Sequence, residues 1–204
     1  LLVRGIILQT RPKNSAHAYA QIWTDEGSPL VVFSQKMHEK VKKQVDIPVA
    51  LAMRYGTMTI QKGLQELKDK GVTEVMLLAL YPQYAMASTT TIWALADELQ
   101  KKHFPEMTIT KVPAFYNKPD FIQALANSIK KHLEGFEYDH LLFSYHGIPK
   151  RHIRKTDVTK SHCTIDGKCC VTDSPAHEFC YRHQCYETTR QVVELLGIPE
   201  GKYS

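Results

Sequence analysis

The sequence lacks several features that would place it in a common class. No apolar run approaches the roughly 18 residues of a membrane-spanning helix, so no transmembrane helix is expected. There is no G-x-G-x-x-G and no G-x-x-x-x-G-K-[ST], which removes both the dinucleotide fingerprint and the P-loop. Low-complexity segments and internal repeats are absent. The first residues carry neither the basic start nor the small-residue cleavage site of a signal peptide. No methionine precedes Leu1, so the chain reads as the interior of something longer. Cysteine is missing everywhere except between Cys163 and Cys185, which argues against a disulfide framework and for a reducing cytoplasm. The apolar stretch Leu1–Leu8 offers a peripheral membrane contact or, equally, the end of a core helix.

What is present is an ordinary globular composition. At 204 residues the chain can bury one sizeable core. Its net charge of +5 suits an anionic ligand but is weak evidence alone, because many basic proteins bind nothing acidic.

Hydrophobic patterning alternates between strand and helix. Val49–Arg54 is strand-like and ends in Tyr55-Gly56. Met58–Lys70 has helical spacing at Ile60, Leu64 and Leu67, and Gly71 is a natural stop. Val75–Leu80 is the continuous apolar run of a strand covered on both faces. Thr91–His103 is helical, with Ile92, Leu95 and Leu99 on one stripe. Met107–Val112 reads as a third strand, Pro119–Leu133 as a helix and Leu141–Ser144 as a fourth strand. A last helix spans Glu187–Leu196, stopped by Gly197 and Pro199. Such alternation predicts an α/β fold, a parallel sheet with helices on both faces.

In open α/β sheets, ligands bind at the carboxyl ends of the strands. The first strand delivers Arg54 and Tyr55. The second delivers Tyr81-Pro82-Gln83-Tyr84, followed by Ser88-Thr89-Thr90. The fourth delivers Ser144-Tyr145-His146 into a His-Gly-x-Pro turn. Aromatics, hydroxyls, an arginine and an imidazole suit a large flat ligand with polar margins. Each has a plainer role available: a helix cap for Ser88–Thr90, edge packing for Tyr81 and Tyr84, a surface ion pair for Arg54.

The segment Ser144-Tyr145-His146-Gly147-Ile148-Pro149 strongly resembles the ferrochelatase signature. Arg11-Pro12-Lys13, Ile22–Leu30, Ala52–Gly56 and Leu80–Tyr84 resemble further segments of that family, in the same order. The resemblance implies a chelatase-like (flavodoxin-like) fold and insertion of ferrous iron, the substrate, into protoporphyrin IX or coproporphyrin III in heme biosynthesis. It places His146 at the metalating centre, as proton acceptor or iron ligand. It also implies that Arg11 and Lys13, near the pocket entrance, pair with porphyrin propionates, the alternative being a solvated basic turn.

Two family segments are missing. There is no opening strand of the G-x-L-L-x-N-x-G type, and no S-E-H-x-E-T segment, which carries the carboxylate partner of the histidine in the family's second half. The resemblance therefore implies that residues 1–204 are a partial chain, mostly the first of two similar domains. A cysteine-rich insertion is expected at 156–186 and a connecting helix at 187–204. The absent opening strand would lie between the first and second strands read here, leaving a gap in the sheet. The chain alone is expected to be inactive.

Within the insertion, Cys163-x5-Cys169-Cys170-x9-Cys180-x4-Cys185 is too dense to be chance, and His162, His177 and His183 lie among the thiols. Such density suits iron–sulfur or zinc ligation, although the spacing matches neither a zinc finger nor a ferredoxin. Some ferrochelatases carry a [2Fe-2S] cluster. The reading here is a cluster held by four of these five cysteines, with zinc, or thiols without any cofactor, as alternatives. A cobalt or siroheme-type chelatase, and a non-catalytic tetrapyrrole or iron–sulfur binding module, are the competing readings of the whole.

Overall fold

A computed structural model describes residues 8–204, without the side chains of 8–11 and 14. The Leu1–Leu8 stretch, apart from the backbone of its last residue, lies outside the described residues. The chain divides into two compact units, Leu1–Thr73 and Glu74–Ser204.

The first unit is helical. Helix α1 covers Leu8–Ala20 and α2 covers Pro29–Lys42, with Pro29 opening the first turn, where a missing N–H costs nothing. Helix α3, Ile60–Asp69, begins at Thr59, whose hydroxyl accepts the Lys62 N–H at 3.2 Å. Its buried residues Ile60, Gly63, Leu64 and Leu67 follow the spacing of one helix face. Gly71 ends the segment at φ +76°, a conformation other residues adopt at a cost. The expected strand Val49–Arg54 forms no ladder; Met53 makes one isolated parallel bridge, to Thr59. Its backbone lacks a neighbouring strand among the described residues.

The second unit carries the sheet. Strands β1 (Glu74–Leu77) and β2 (Thr108–Lys111) pair in parallel, Val75 opposite Ile109. Helix α4 (Thr91–His103) connects them and packs on β2. Helix α5 (Pro119–Leu133) starts with proline at its first position and buries Ile122 and Ala126. It packs against α7, Tyr181–Leu196, which stops at Gly197 with φ +65°. Between them lies the short α6, Lys150–Thr156. Ala96, Phe104, Met107, Ala126 and Val192 are at most 2% exposed and form the centre of this unit. Burying a side chain the size of Phe104 contributes about 2 kcal/mol.

The mixed α/β class with a parallel sheet is as expected, but the sheet is smaller. Leu141–Ser144 is extended and bridges only at Leu141, in parallel to Tyr203. The second edge of β1 has no partner among the described residues, and Met76 is 74% exposed beside it. The last helix starts at Tyr181 rather than Glu187, so the end of the expected insertion is already helical.

Candidate functional site

The turn after Leu141–Ser144 presents His146. Backbone bonds from Leu141 N–H to Lys202 O and from Phe143 N–H to Ser204 O, each 2.8 Å, fix the strand that leads into it. Ser144 and His146 are exposed, and no hydrogen bond holds the imidazole among the described residues. Its neighbours are fixed from α7. The Tyr145 hydroxyl shares a 2.9 Å hydrogen bond with Thr189. Burial raises the Tyr145 phenol above its usual range, opposed by the Thr189 bond. The Tyr181 hydroxyl lies against both the His146 backbone N–H and the Cys185 thiol, and burial pushes this phenol up to about 12.

A buried polar seam supports this arrangement. Gln184 is fully buried; its side-chain oxygen accepts the Tyr84 N–H at 2.6 Å, and its amide donates to the carbonyls of His177 and Glu178. Thr188 Oγ1 lies 2.9 Å from the Tyr116 carbonyl and accepts from the Gln83 amide at 3.0 Å. Sequence reasoning missed Tyr181, Gln184 and Thr188. Gln184 and Thr188 are polar residues on the buried face of a helix, where apolar periodicity gives no signal.

The other strand-end residues fall into two groups. Tyr84 is buried, edge-on to Phe179 at 5.1 Å, with its hydroxyl 2.6 Å from Thr90 Oγ1. Thr89 is 3% exposed, in a π-helical turn, Met86–Thr90, that leads into α4. Both act as packing residues here. Ser88 is half-buried, its hydroxyl directed at the Ala85 carbonyl, whereas Tyr81 is open to solvent. In the first unit, Lys13 is exposed and the side chain of Arg11 lies outside the described residues. The Arg54 guanidinium sits 4.9 Å over the exposed Tyr55 ring, and its Nε is buried without a partner. That orphaned donor fits an anionic or carbonyl acceptor better than the expected alternative of a surface ion pair.

The cysteine-rich segment is ordered by its acid and histidine side chains. Asp157 accepts from the Thr159 hydroxyl at 2.7 Å and from the Cys163 N–H at 2.8 Å. His162 and His177 both donate to the Cys169 carbonyl at 2.8 Å, and His183 donates to that of Cys170 at 2.6 Å. The thiols of Cys163 and Cys170 are within hydrogen-bond reach of Cys169, and Cys180 stands close enough for its charge to act on Cys163 and Cys170. Burial opposes ionisation of Cys169, but donors from Thr164, the local backbone and Cys170 bring it down to about 7. Burial and the Cys169 charge push Cys170 up to about 12. All five cysteines are free thiols. No three His, Cys, Asp or Glu side chains among the described residues are arranged to hold a single metal ion. The donor chemistry is nonetheless four neighbouring thiols, with three imidazoles turned to carbonyls instead.

A parallel α/β unit with a histidine on the turn after an apolar extended segment is the arrangement expected of a chelatase. The family model for ferrochelatase matches residues 1–204, and the chain belongs to that family. It is 42% identical over 204 residues to a ferrochelatase of Pseudomonas syringae pv. tomato, covering all of this chain and 60% of that protein. A ferrochelatase of Ectopseudomonas mendocina is 44% identical over 206 residues, again with 60% of its length covered. One from Opitutus terrae is 40% identical over 206 residues, with 59% covered. The chain thus spans about 60% of the length of the curated relatives it matches. No helix among the described residues is long and apolar enough to cross a membrane.

Proposed function

We propose that the full-length parent inserts ferrous iron into a porphyrin in heme biosynthesis, with His146 at the metalating centre. The observation that carries this reading is the exposed His146 ring on a turn whose neighbours are fixed from α7. Metalation exchanges two pyrrole protons for one Fe²⁺, which must also shed water. An unencumbered imidazole can accept one of those protons or ligate the incoming metal. Tyr145, Ser144, Ser88 and Tyr81 supply polar and aromatic margins in the second unit. Arg11, Lys13, Arg54 and Tyr55 supply cations and an aromatic face in the first, suited to propionates. Assays with protoporphyrin IX and coproporphyrin III distinguish the two candidate substrates.

Cys163, Cys169, Cys170 and Cys180 are the proposed ligands of a [2Fe-2S] cluster. Cys185 is left out because its buried thiol faces Tyr181 instead. When bound, such a cluster supplies a redox-sensitive cross-link of the segment. Zinc on the same four thiolates is the competing reading, and metal analysis separates the two. Anaerobic protein is expected to be red-brown, with two irons and two sulfides per chain. One zinc, or no metal with all thiols open to alkylation, would remove the cluster.

The test of the main reading is His146→Ala in the full-length protein. Iron insertion should be lost with the circular dichroism unchanged. Near wild-type turnover would overturn the assignment. The 204-residue chain alone should not metalate porphyrin, and His146-dependent metalation by it would refute that expectation.

A further inference from the structure

Helix α7 carries two adjacent threonines, Thr188 and Thr189, near its middle. Threonine is a poor choice inside a helix, because its branched side chain loses rotamer freedom and its hydroxyl competes for backbone groups. Both hydroxyls reach other segments. Thr188, 1% exposed, accepts the Gln83 amide at 3.0 Å and stands 2.9 Å from the Tyr116 carbonyl. Thr189 shares a 2.9 Å hydrogen bond with the Tyr145 hydroxyl. Gln83 follows β1, Tyr116 follows β2 and Tyr145 follows the extended segment Leu141–Ser144. Adjacent residues of α7 thus tie together the segments that leave β1, β2 and that extended stretch at their carboxyl ends, the side on which open α/β sheets take their ligands.

The Thr189 bond bears on His146. The backbone bonds from Leu141 N–H to Lys202 O and from Phe143 N–H to Ser204 O end three residues before it. The imidazole itself is exposed, and Gly147 follows, a residue with no side chain to stiffen the turn. Tyr145 is the neighbour whose side chain is fixed, by a hydroxyl at the far end of a rigid ring. Its partner stands on a helix rather than on a loop, and that helix is firmly seated. Gln184, Thr188 and Val192, four residues apart on one face, are at most 1% exposed, and Gln184 accepts the Tyr84 N–H at 2.6 Å. A contact presented from such an element places a reacting group closely, and positional errors of about 1 Å can cost up to a hundredfold in rate.

We propose that Thr189 is a positioning residue for the ferrochelatase reaction, holding the turn that carries His146 through the Tyr145 hydroxyl; this rests on the reading of His146 given above. Thr189 acts through Tyr145 and not on the reacting atoms. Its hydroxyl fixes the ring next to His146, while Thr188 fixes the helix that presents it. Valine at 189 would keep the shape and the branching and lose the hydroxyl. Serine would keep the hydroxyl and lose the methyl group.

The experiment uses the full-length protein and compares wild type with Thr189→Val, Thr189→Ser, Tyr145→Phe, the Thr189→Val/Tyr145→Phe double variant and His146→Ala. Iron insertion is followed in steady state, and circular dichroism gives the folded fraction of each variant. Thr189→Val and Tyr145→Phe are each expected to lower kcat about fivefold, with KM for porphyrin within about twofold of wild type. The double variant should be no slower than either single one, whereas independent roles would multiply to about 25-fold. Thr189→Ser should bring kcat back to within about twofold. A merely structural role would lower the melting temperature without this non-additive loss of kcat and without rescue by serine. Wild-type kcat for Thr189→Val, or losses that multiply in the double variant, would overturn the proposal and leave the reading of His146 standing. Near wild-type turnover by His146→Ala would overturn that reading and the proposal with it.

Discussion

The imidazoles of His177 and His183 stack with ring centroids 3.6 Å apart and planes 8° from parallel, each donating to the carbonyl of one of two adjacent cysteines. Two charged rings at that distance would repel. Burial, and then the proximity of His177, hold His183 below the usual histidine range, against the favourable bond to the Cys170 carbonyl. Above the ordinary histidine value both folded and unfolded chains are neutral here, and nothing is gained or lost. Below it the unfolded chain takes up a proton that the folded chain refuses, so stability falls with pH until the folded value is passed. The melting temperature of the metal-free protein should therefore drop between about pH 7 and pH 5. His177→Ala should reduce that drop, and a flat wild-type profile would sink the argument.

Asp157 makes the opposite case. Its carboxylate is only 7% exposed, and burial alone would raise its pKa. The Thr159 hydroxyl and the N–H groups of Cys163, Thr159 and His162 outweigh burial and hold it below the ordinary range. Its contribution is present above the ordinary aspartate value and is lost as pH falls through the folded one. Asp157→Ala should cost about 1–3 kcal/mol at neutral pH by leaving buried donors unpaired. Urea denaturation at neutral pH and near pH 3 checks this. The gap between variant and wild type should narrow at the lower pH, and an equal gap at both would count against the assignment.

Gly63 tests the packing of α3. A Cβ built there would stand 3.1 Å from the Cβ of Ala52, on a helix face that is buried. Alanine gains about 1 kcal/mol of helix propensity and needs Ala52 to yield slightly. Leucine cannot be accommodated in that way and should destabilise by about 1–3 kcal/mol. Denaturant midpoints of Gly63→Ala and Gly63→Leu should fall on different sides of a 1 kcal/mol loss, as decided by overpacking. Equal stability for all three proteins would show that this face is not closed.

Arg11 and Lys13 are remote from His146 in sequence, and their proposed role is uniform binding of propionates. Replacing both with alanine in the full-length protein should raise KM for porphyrin about tenfold while changing kcat by less than about threefold. An unchanged KM in steady-state assays would remove them from the substrate site.

Where hydrophobic spacing was clean, the sequence was legible to the residue. Helices α4 and α5 run over Thr91–His103 and Pro119–Leu133, as their apolar stripes and the N-terminal proline indicate. Helix α7 was read six residues short because the face it buries in its first two turns is Gln184, Cys185 and Thr188, which carry no apolar period. Helix α2 went unread; of its apolar residues Leu30, Phe33 and Met37 are exposed and only Val32 is buried. Strands proved less legible, because a ladder depends on a neighbour that a local pattern cannot reveal. His146 was identified by its motif. Gln184 and Thr188 were not, since their contacts with Tyr84 and Tyr116 join residues far apart in the chain.

The extended segment that leads into His146 receives its backbone partners from Lys202 and Ser204, beyond the C-terminal end of α7. A contact that closes so long a loop forms late, because the entropy of closure must be met before any hydrogen bond rewards it. On the ribosome, those partners emerge only after α6, the cysteine segment and α7 have been made. Until then Leu141 and Phe143 present an open edge, the kind of surface on which chains pair wrongly with one another. The histidine turn consequently cannot be held until α7 and the residues that follow it have been made, and delays there should appear first as aggregation of nascent chains.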